Sequence, residues 1–136
     1  SRVYRYPLNN LNTLYKENDM EITEKFKNEI APFFWVEYSS GASACLNAGE
    51  YMQEVFDTRA DEGFEGSGYD WSSLAQVFLG ECCPDLKEKI NFDPEADMFC
   101  ACSADRDALA DFILQFKKAC EDKKVILELF RRAELD

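Results

Sequence analysis

The hydrophobic pattern of this chain switches between strand-like and helix-like segments, and this alternation limits the folds that it can adopt. Residues 33–38 are aromatic and β-branched, and a Ser-Ser-Gly sequence follows at residues 39–41. This composition predicts a strand followed by a turn. A second short strand is predicted over residues 42–46, so that the two strands form a hairpin.

Two helices are predicted to follow this hairpin. The first covers about residues 50–59, where apolar residues recur at helical spacing. The second is predicted to have Asp70 as its N-cap and to stop before Pro84. Its apolar positions form a single stripe that should face a core: Trp71, Leu74, Ala75, Phe78 and Leu79.

The second half of the chain repeats the order of two strands and two helices. Strands over residues 90–92 and 98–102 flank an acidic segment, 93–97, which predicts a hairpin with a charged tip. Ser103 is predicted to cap the next helix, and a last helix follows over residues 125–133. The apolar stripe of the capped helix comprises Leu109, Phe112, Ile113, Phe116 and Cys120.

Paired strands that alternate with paired helices predict an α+β fold, with an antiparallel sheet from two hairpins and about four helices packed on one face. We predict a single domain over residues 1–136, in which residues 1–30 form an N-terminal arm. Within this arm, residues 20–30 fit either a short helix or a strand. The aromatic core is predicted to contain Trp71, Phe78, Phe99, Phe112, Phe116 and Phe130.

The overall charge narrows the range of partners. The chain has 27 acidic and 15 basic residues, which give a formal net charge of −12. Binding to nucleic acid or to an anionic membrane depends on clustered Lys and Arg, so neither is expected here. No apolar stretch approaches the ~20 residues that a membrane span needs. These features predict a cytoplasmic protein with no membrane segment.

Half of this charge lies in residues 50–70, which contain seven acids against the single base Arg59. The segment 59–71 also mixes aromatic residues with three glycines, so no regular element can run through it. We interpret it as a recognition loop for a positively charged partner, which would relieve the repulsion among its acids. A solvated loop that only keeps the protein in solution is the alternative.

Six cysteines raise the question of zinc or disulfides. Structural zinc sites use paired Cys-x(2–4)-Cys modules or histidines, and this chain has no histidine. Cys100 and Cys102 alternate along a predicted strand, so both should point to its packing face. We therefore predict reduced thiols, most of them buried, and no bound metal.

A catalytic centre is hard to assemble from these residues. Without histidine the chain lacks the commonest general base. Acids on an exposed hairpin tip stay ionised, which makes them poor general acids. Residues 66–68, Gly-Ser-Gly, are too short and too acidic in their context to bind a phosphate. We expect no enzymatic activity, no cofactor and no small-molecule substrate; a small carboxylate-based enzyme is the less favoured alternative.

Four longer stretches carry a resemblance, at residues 34–39, 59–71, 92–101 and 129–136. Together they resemble the bacterial Immunity protein 51 family, in order, from about residue 30 to the end of the chain. The resemblance implies an antitoxin role in polymorphic-toxin or contact-dependent growth inhibition systems. In such systems a cytoplasmic immunity protein binds and silences the toxin domain of a sibling cell.

The expected partner is therefore a cognate toxin domain, bound through an acidic surface that occludes a basic cleft. A non-catalytic adaptor that binds a basic endogenous protein is the alternative. The loop and the hairpin tip must lie on one side of the molecule if both contact the partner. The residues expected to bind are seven acids and two aromatic anchors: Asp57, Asp61, Glu62, Glu65, Asp93, Glu95 and Asp97, with Phe64 and Tyr69.

Overall fold

The computed structural model describes residues 22–135. Its strands are β1 Phe34–Tyr38, β2 Gly41–Asn47, β3 Asn91–Phe92 and β4 Met98–Ser103. Its α-helices are α1 Glu24–Ile30, α2 Gln53–Asp57, α3 Gly68–Cys82, α4 Arg106–Cys120 and α5 Lys123–Phe130. The strands form an antiparallel sheet in the order β1-β2-β4-β3, which confirms the predicted α+β class. Between residues 22 and 135, no helix has the length and apolar character needed to cross a membrane.

The two hairpins join through their inner strands, β2 and β4. Their register places Ala44 opposite Ala101, and both are buried under the helices. Because successive side chains of a strand point to opposite faces, the alternate residues lie on the other side of the sheet. There β1 exposes Phe34, Val36 and Tyr38. Within residues 22–135 the helices therefore pack on one face of the sheet and leave the other open.

Aromatic side chains form the centre of the core between the sheet and the helices. The ring of Trp71 contacts those of Phe33, Phe99 and Phe116, with centroids 5.8, 6.2 and 6.0 Å away. Tilted and edge-on ring pairs of this kind add to the free energy of burial. All six residues predicted for the aromatic core are at most 1% exposed, which confirms that prediction.

Both predicted helix caps are wrong. The N-cap of α3 is Ser67, whose hydroxyl accepts a hydrogen bond from the backbone N–H of Asp70. Asp70 is the third helical residue, and its carboxylate accepts a hydrogen bond from the backbone N–H of Ser67, which completes a capping box. The N-cap of α4 is Asp105. Ser103 ends β4 and accepts a hydrogen bond from the Asp105 N–H.

The segment before β1 is partly helical. Thr23 caps α1, which buries Phe26 and Ile30. The ring of Phe26 meets Trp35 edge-on, with centroids 5.4 Å apart. Residues 24–30 thus form a packed helix, which is one of the two structures predicted for residues 20–30. The rest of the predicted arm, residues 1–21, lies outside the described residues.

Helix α2 is shorter than the predicted helix over residues 50–59. Met52 has a φ of 59°, a left-handed conformation that an α-helix cannot continue through. After Asp57 the chain leaves the α-helix and forms a 3-10 turn over Ala60–Glu62. The acidic loop begins at this break.

The cysteines divide between the core and the open face of the sheet. All six lie within the described residues, and none forms a disulfide. Cys100 and Cys102 share one face of β4 as predicted, but this is the open face, so both are half-buried. Phe99 and Ala101 occupy the packing face instead. The other cysteines are buried, Cys45 on the open face of β2 and three in the core: Cys82, Cys83 and Cys120.

Candidate partner-binding surface

The acidic loop, residues 59–71, is held in shape from inside by the carboxylate of Asp70. Its Oδ2 accepts hydrogen bonds from the backbone N–H groups of Glu65, Gly66 and Ser67, at 2.7, 2.8 and 3.3 Å. Hydrogen bonds to a charged acceptor are stronger than neutral ones. Because Asp70 is buried, it shapes the loop and adds nothing to its exposed charge.

Arg59 fastens the start of the loop to the end of α5. Its guanidinium donates to the carbonyl oxygens of Phe130 and Ala133, at 2.6 and 2.8 Å. It also donates to both carboxylate oxygens of Glu62, at 2.6 and 2.9 Å. These hydrogen bonds hold the pKa of Glu62 below its ordinary value. The guanidinium of Arg59, the single base of this segment, is therefore used in hydrogen bonds within the protein.

Phe64 is not available as an aromatic anchor, which corrects the prediction made for it. Its side chain is only 2% exposed, and its ring packs edge-on against Phe130 with centroids 4.9 Å apart. The Arg59 guanidinium also contacts this ring, 4.5 Å from its centroid. The loop therefore folds back and contributes an aromatic residue to the core.

Tyr69 is the aromatic residue that the loop does present to solvent. It is the second residue of α3 and is 43% exposed. Asp61 and Glu65 are also exposed. An exposed tyrosine among carboxylates has the amphipathic character of residues that anchor protein interfaces.

The acidic loop touches the tip of the second hairpin. The Gly68 N–H donates to the carbonyl oxygen of Ala96 at 2.9 Å. A Cβ at position 68 would lie only 1.9 Å from the Glu95 carbonyl oxygen and 2.3 Å from that of Met98. Only glycine allows this close backbone approach. The loop and the tip therefore lie on the same side of the molecule.

Gln53 connects α2 to the same surface. Its side-chain amide nitrogen donates to the carboxylate of Asp57 at 3.2 Å and to the backbone carbonyl of Glu65 at 2.9 Å. Helix α2, the loop and the hairpin tip are thus continuous. We give the name acidic surface to seven of their exposed carboxylates: Asp57, Asp61, Glu62, Glu65, Asp93, Glu95 and Asp97. Glu54 of α2, which pairs with Lys123, is not included.

Little positive charge offsets the acidic surface. Glu62 is paired with Arg59, but the other six carboxylates form no ion pair with any residue between 22 and 135. Four lysines instead line a groove where α4 ends and α5 begins: Lys117, Lys118, Lys123 and Lys124.

Two grooves outside the acidic surface are lined by side chains of both charges. The lysine groove also contains Glu29, Glu121 and Asp122, none of which is buried. A second groove is lined by Arg132 and Glu134 among others. Within residues 22–135, no group of three or more Cys, Asp or Glu side chains could hold a metal ion.

Two residues that organise the acidic surface were not identified from the sequence. Gln53 lies inside a predicted helix, where nothing in a helical pattern indicates a contact to a later loop. Gly68 was considered only as part of a phosphate-binding motif. A glycine at the first turn of a helix, where a better helix former would serve, is the signal of close backbone approach.

Comparison with protein families gives one match. A family model described as Immunity protein 51 matches residues 33–135, well over half of the chain. The chain belongs to the Immunity protein 51 family. The match includes the whole acidic surface. Membership implies an immunity protein, whose partner is a protein toxin, and suggests a non-catalytic role. Comparisons with curated proteins and with solved structures found no match.

Proposed function

We propose that this member of the Immunity protein 51 family neutralises a cognate toxin domain by laying its acidic surface over a basic cleft of the toxin. The observation that carries the proposal is the continuity of the acidic surface. Three separate segments, α2, the loop and the hairpin tip, are joined by the Gln53 and Gly68 contacts. Six of its seven carboxylates have no cationic partner within residues 22–135.

The attraction between the acidic surface and the toxin cleft is electrostatic. A toxin domain that acts on nucleic acid presents Lys and Arg to the phosphates of its substrate. Carboxylates arranged over several ångströms can occupy the positions of those phosphates. The opposed charges would also accelerate the encounter at low salt, because the Debye length is ~10 Å at 0.1 M ionic strength. Occlusion of this kind requires no chemistry from the immunity protein.

Tyr69 supplies a different part of the binding energy. Exposed charges at an interface mainly change association rates, whereas buried aromatic anchors mainly change dissociation rates. Tyr69 lies on the segment that also carries Asp61 and Glu65, so a toxin bound to these acids would cover its ring. We propose Tyr69 as the aromatic anchor in place of Phe64.

The proposal places this interaction in the cytoplasm, within a polymorphic-toxin or contact-dependent growth inhibition system. Six cysteines without a disulfide are typical of a protein from a reducing compartment. Co-purification with the protein encoded beside it would identify the toxin.

The test is a triple neutralisation, Asp61→Asn, Glu65→Gln and Asp97→Asn, compared with the wild type by binding kinetics at two salt concentrations. We expect association with the toxin to slow by roughly tenfold at low salt and the salt dependence to weaken. Dissociation should change less. Stability should be unchanged or slightly higher, because the substitutions remove like charges from one surface.

A matched control removes the same charge elsewhere: Glu24→Gln, Asp85→Asn and Glu88→Gln. These exposed acids lie in none of the three segments, so the control should bind almost like the wild type. An oligonucleotide that the toxin binds should compete with the wild-type protein. The proposal fails if the first triple variant stays folded, associates at the wild-type rate and still protects cells.

A further inference from the structure

Two cysteines face each other across the centre of the sheet. Cys45 on β2 lies directly opposite Cys100 on β4, and their Sγ atoms are 3.6 Å apart. Both side chains are on the open face, away from the helices. Cys102, the next residue on that face of β4, is half-buried like Cys100.

The backbone hydrogen bonds show which of the two kinds of antiparallel residue pair Cys45 and Cys100 form, the wider hydrogen-bonded pair or the closer non-hydrogen-bonded pair. The Cys100 carbonyl accepts a hydrogen bond from the N–H of Asp93, on the β3 side. Because N–H and C=O of one strand residue point to the same side, the peptide groups of Cys100 face β3 and not β2. Cys45 and Cys100 are therefore a non-hydrogen-bonded pair, with a Cα separation of about 4.5 Å. This lies within the range that a disulfide spans.

The two thiols differ in acidity. Hydrogen bonds from the thiol of Cys45 and from Ser43 hold the pKa of Cys100 below its ordinary value, against the opposing effects of burial and of the Asp93 and Glu95 carboxylates. The same hydrogen bond, together with burial, raises the pKa of Cys45. Burial also raises the pKa of Cys102. Cys100 is thus the thiol best able to react as a thiolate.

We propose that Cys100 and Cys45 form a reversible redox pair, in which Cys100 is oxidised by peroxide and Cys45 resolves the product as a disulfide between β2 and β4. The pair is close to Asp93 and Glu95 of the acidic surface, but its reaction with peroxide requires no bound toxin.

The disulfide between Cys100 and Cys45 forms in two steps. The Cys100 thiolate attacks one oxygen of hydrogen peroxide, the O–O bond breaks, and the departing hydroxide takes up a proton to become water. This two-electron oxidation leaves a sulfenic acid on Cys100. The Cys45 thiol then loses its proton as its sulfur attacks the Cys100 sulfur, and the S–O bond breaks to release a second water. A dithiol reductant returns both thiols.

Trypsin offers a direct readout in the full chain. Cleavage after Lys27, Arg59, Lys89 and Arg106 separates Cys45, in peptide 28–59, from Cys100 and Cys102, in peptide 90–106. After a small excess of hydrogen peroxide, nonreducing mass spectrometry should find these two peptides linked. Dithiothreitol should release them. Failure to find the linkage in a protein that has lost thiols would overturn the proposal.

Single substitutions assign the two roles. Cys102→Ser should still form the linkage, whereas Cys100→Ser and Cys45→Ser should lose it. In Cys45→Ser the sulfenic acid on Cys100 should persist and be labelled by dimedone. Near-UV circular dichroism checks that each variant is folded, and alanine replaces serine where it is not.

Cys120→Ser is the matched control, because Cys120 is buried in the core and should not affect the linkage. A linkage that survives in Cys100→Ser, or that needs Cys102, would show that the pair is assigned incorrectly. Oxidation of Cys100 to a sulfinic acid in the wild type without any linkage would refute Cys45 as the resolving thiol.

Discussion

Replacing Gly68 by alanine tests whether the acidic loop and the hairpin tip are held together as one surface. The added Cβ would lie 1.9 and 2.3 Å from two backbone oxygens of the tip, so the tip must move away by about 1 Å or more. Overpacking of this kind costs about 1–3 kcal/mol. Loss of the hydrogen bond from Gly68 to Ala96 adds about 1 kcal/mol.

Alanine also has a favourable effect in a helix, which must be subtracted. A Gly→Ala substitution at a compatible helical site stabilises a protein by about 0.4–1 kcal/mol. The net expectation for Gly68→Ala is therefore a destabilisation of about 1–3 kcal/mol. Gly80→Ala is the control in the same helix, because a Cβ at position 80 meets no atom within 4 Å. It should stabilise the protein by about 0.5–1 kcal/mol.

Urea unfolding separates the two variants by the sign of their effect. A change of 2 kcal/mol moves the midpoint by about 1 M urea for a domain of this size. Gly68→Ala should unfold at lower urea than the wild type, and Gly80→Ala at higher urea. Equal stabilisation by both alanines would refute the close approach of the loop to the tip, and with it the continuity of the acidic surface.

Two further predictions follow from the site and from the caps. Phe64→Ala should destabilise the fold by about 3–5 kcal/mol, whereas Tyr69→Ala should change stability by no more than about 0.5 kcal/mol and raise the toxin dissociation rate. Unfolding measures the first effect and binding kinetics the second, and the opposite order would contradict the assignment of the two rings. Hydrogen bonds from the Ala108 N–H and Lys89 lower the pKa of Asp105, so its contribution to stability is complete above the unfolded pKa of about 4 and is lost as pH falls through the lower folded pKa. Asp105→Asn keeps the capping acceptor but loses the charge that pairs with Lys89, so stability measured near neutral pH should fall slightly, and the decline below about pH 4 should become shallower.

Much of the fold could be predicted from periodicity because most elements have one apolar face. The stripe that begins at Trp71 buries the expected side chains, and strands form around residues 34–38 and 98–103 as their composition predicts. The N-caps of α3 and α4 were harder to predict, since each of these turns contains two residues whose side chains can accept a hydrogen bond from a backbone N–H. Only their position relative to the first helical residue distinguishes Ser67 from Asp70, or Ser103 from Asp105.

The errors at Phe64 and at the cysteines have a common cause. Local sequence shows that a residue is apolar, but it does not show which distant element meets it. Phe64 is buried by Phe130 and Arg59, one of which lies far along the chain. The alternation of Cys100 and Cys102 predicts that they share a face, while the choice between the packed and the open face depends on where the helices lie.

The acidic loop separates the residues that shape it from those that remain for a partner. Arg59 and Asp70 are both charged, yet one binds the end of α5 and the other binds three loop N–H groups. A loop fixed in this way loses less conformational entropy when a partner binds than a mobile one does. Repulsion among the exposed carboxylates then persists in the unbound protein instead of being relieved by loop motion. A cationic cleft that neutralises them therefore gains the relief of that repulsion as well as its own attraction, which favours a cognate basic partner over a neutral surface of the same shape.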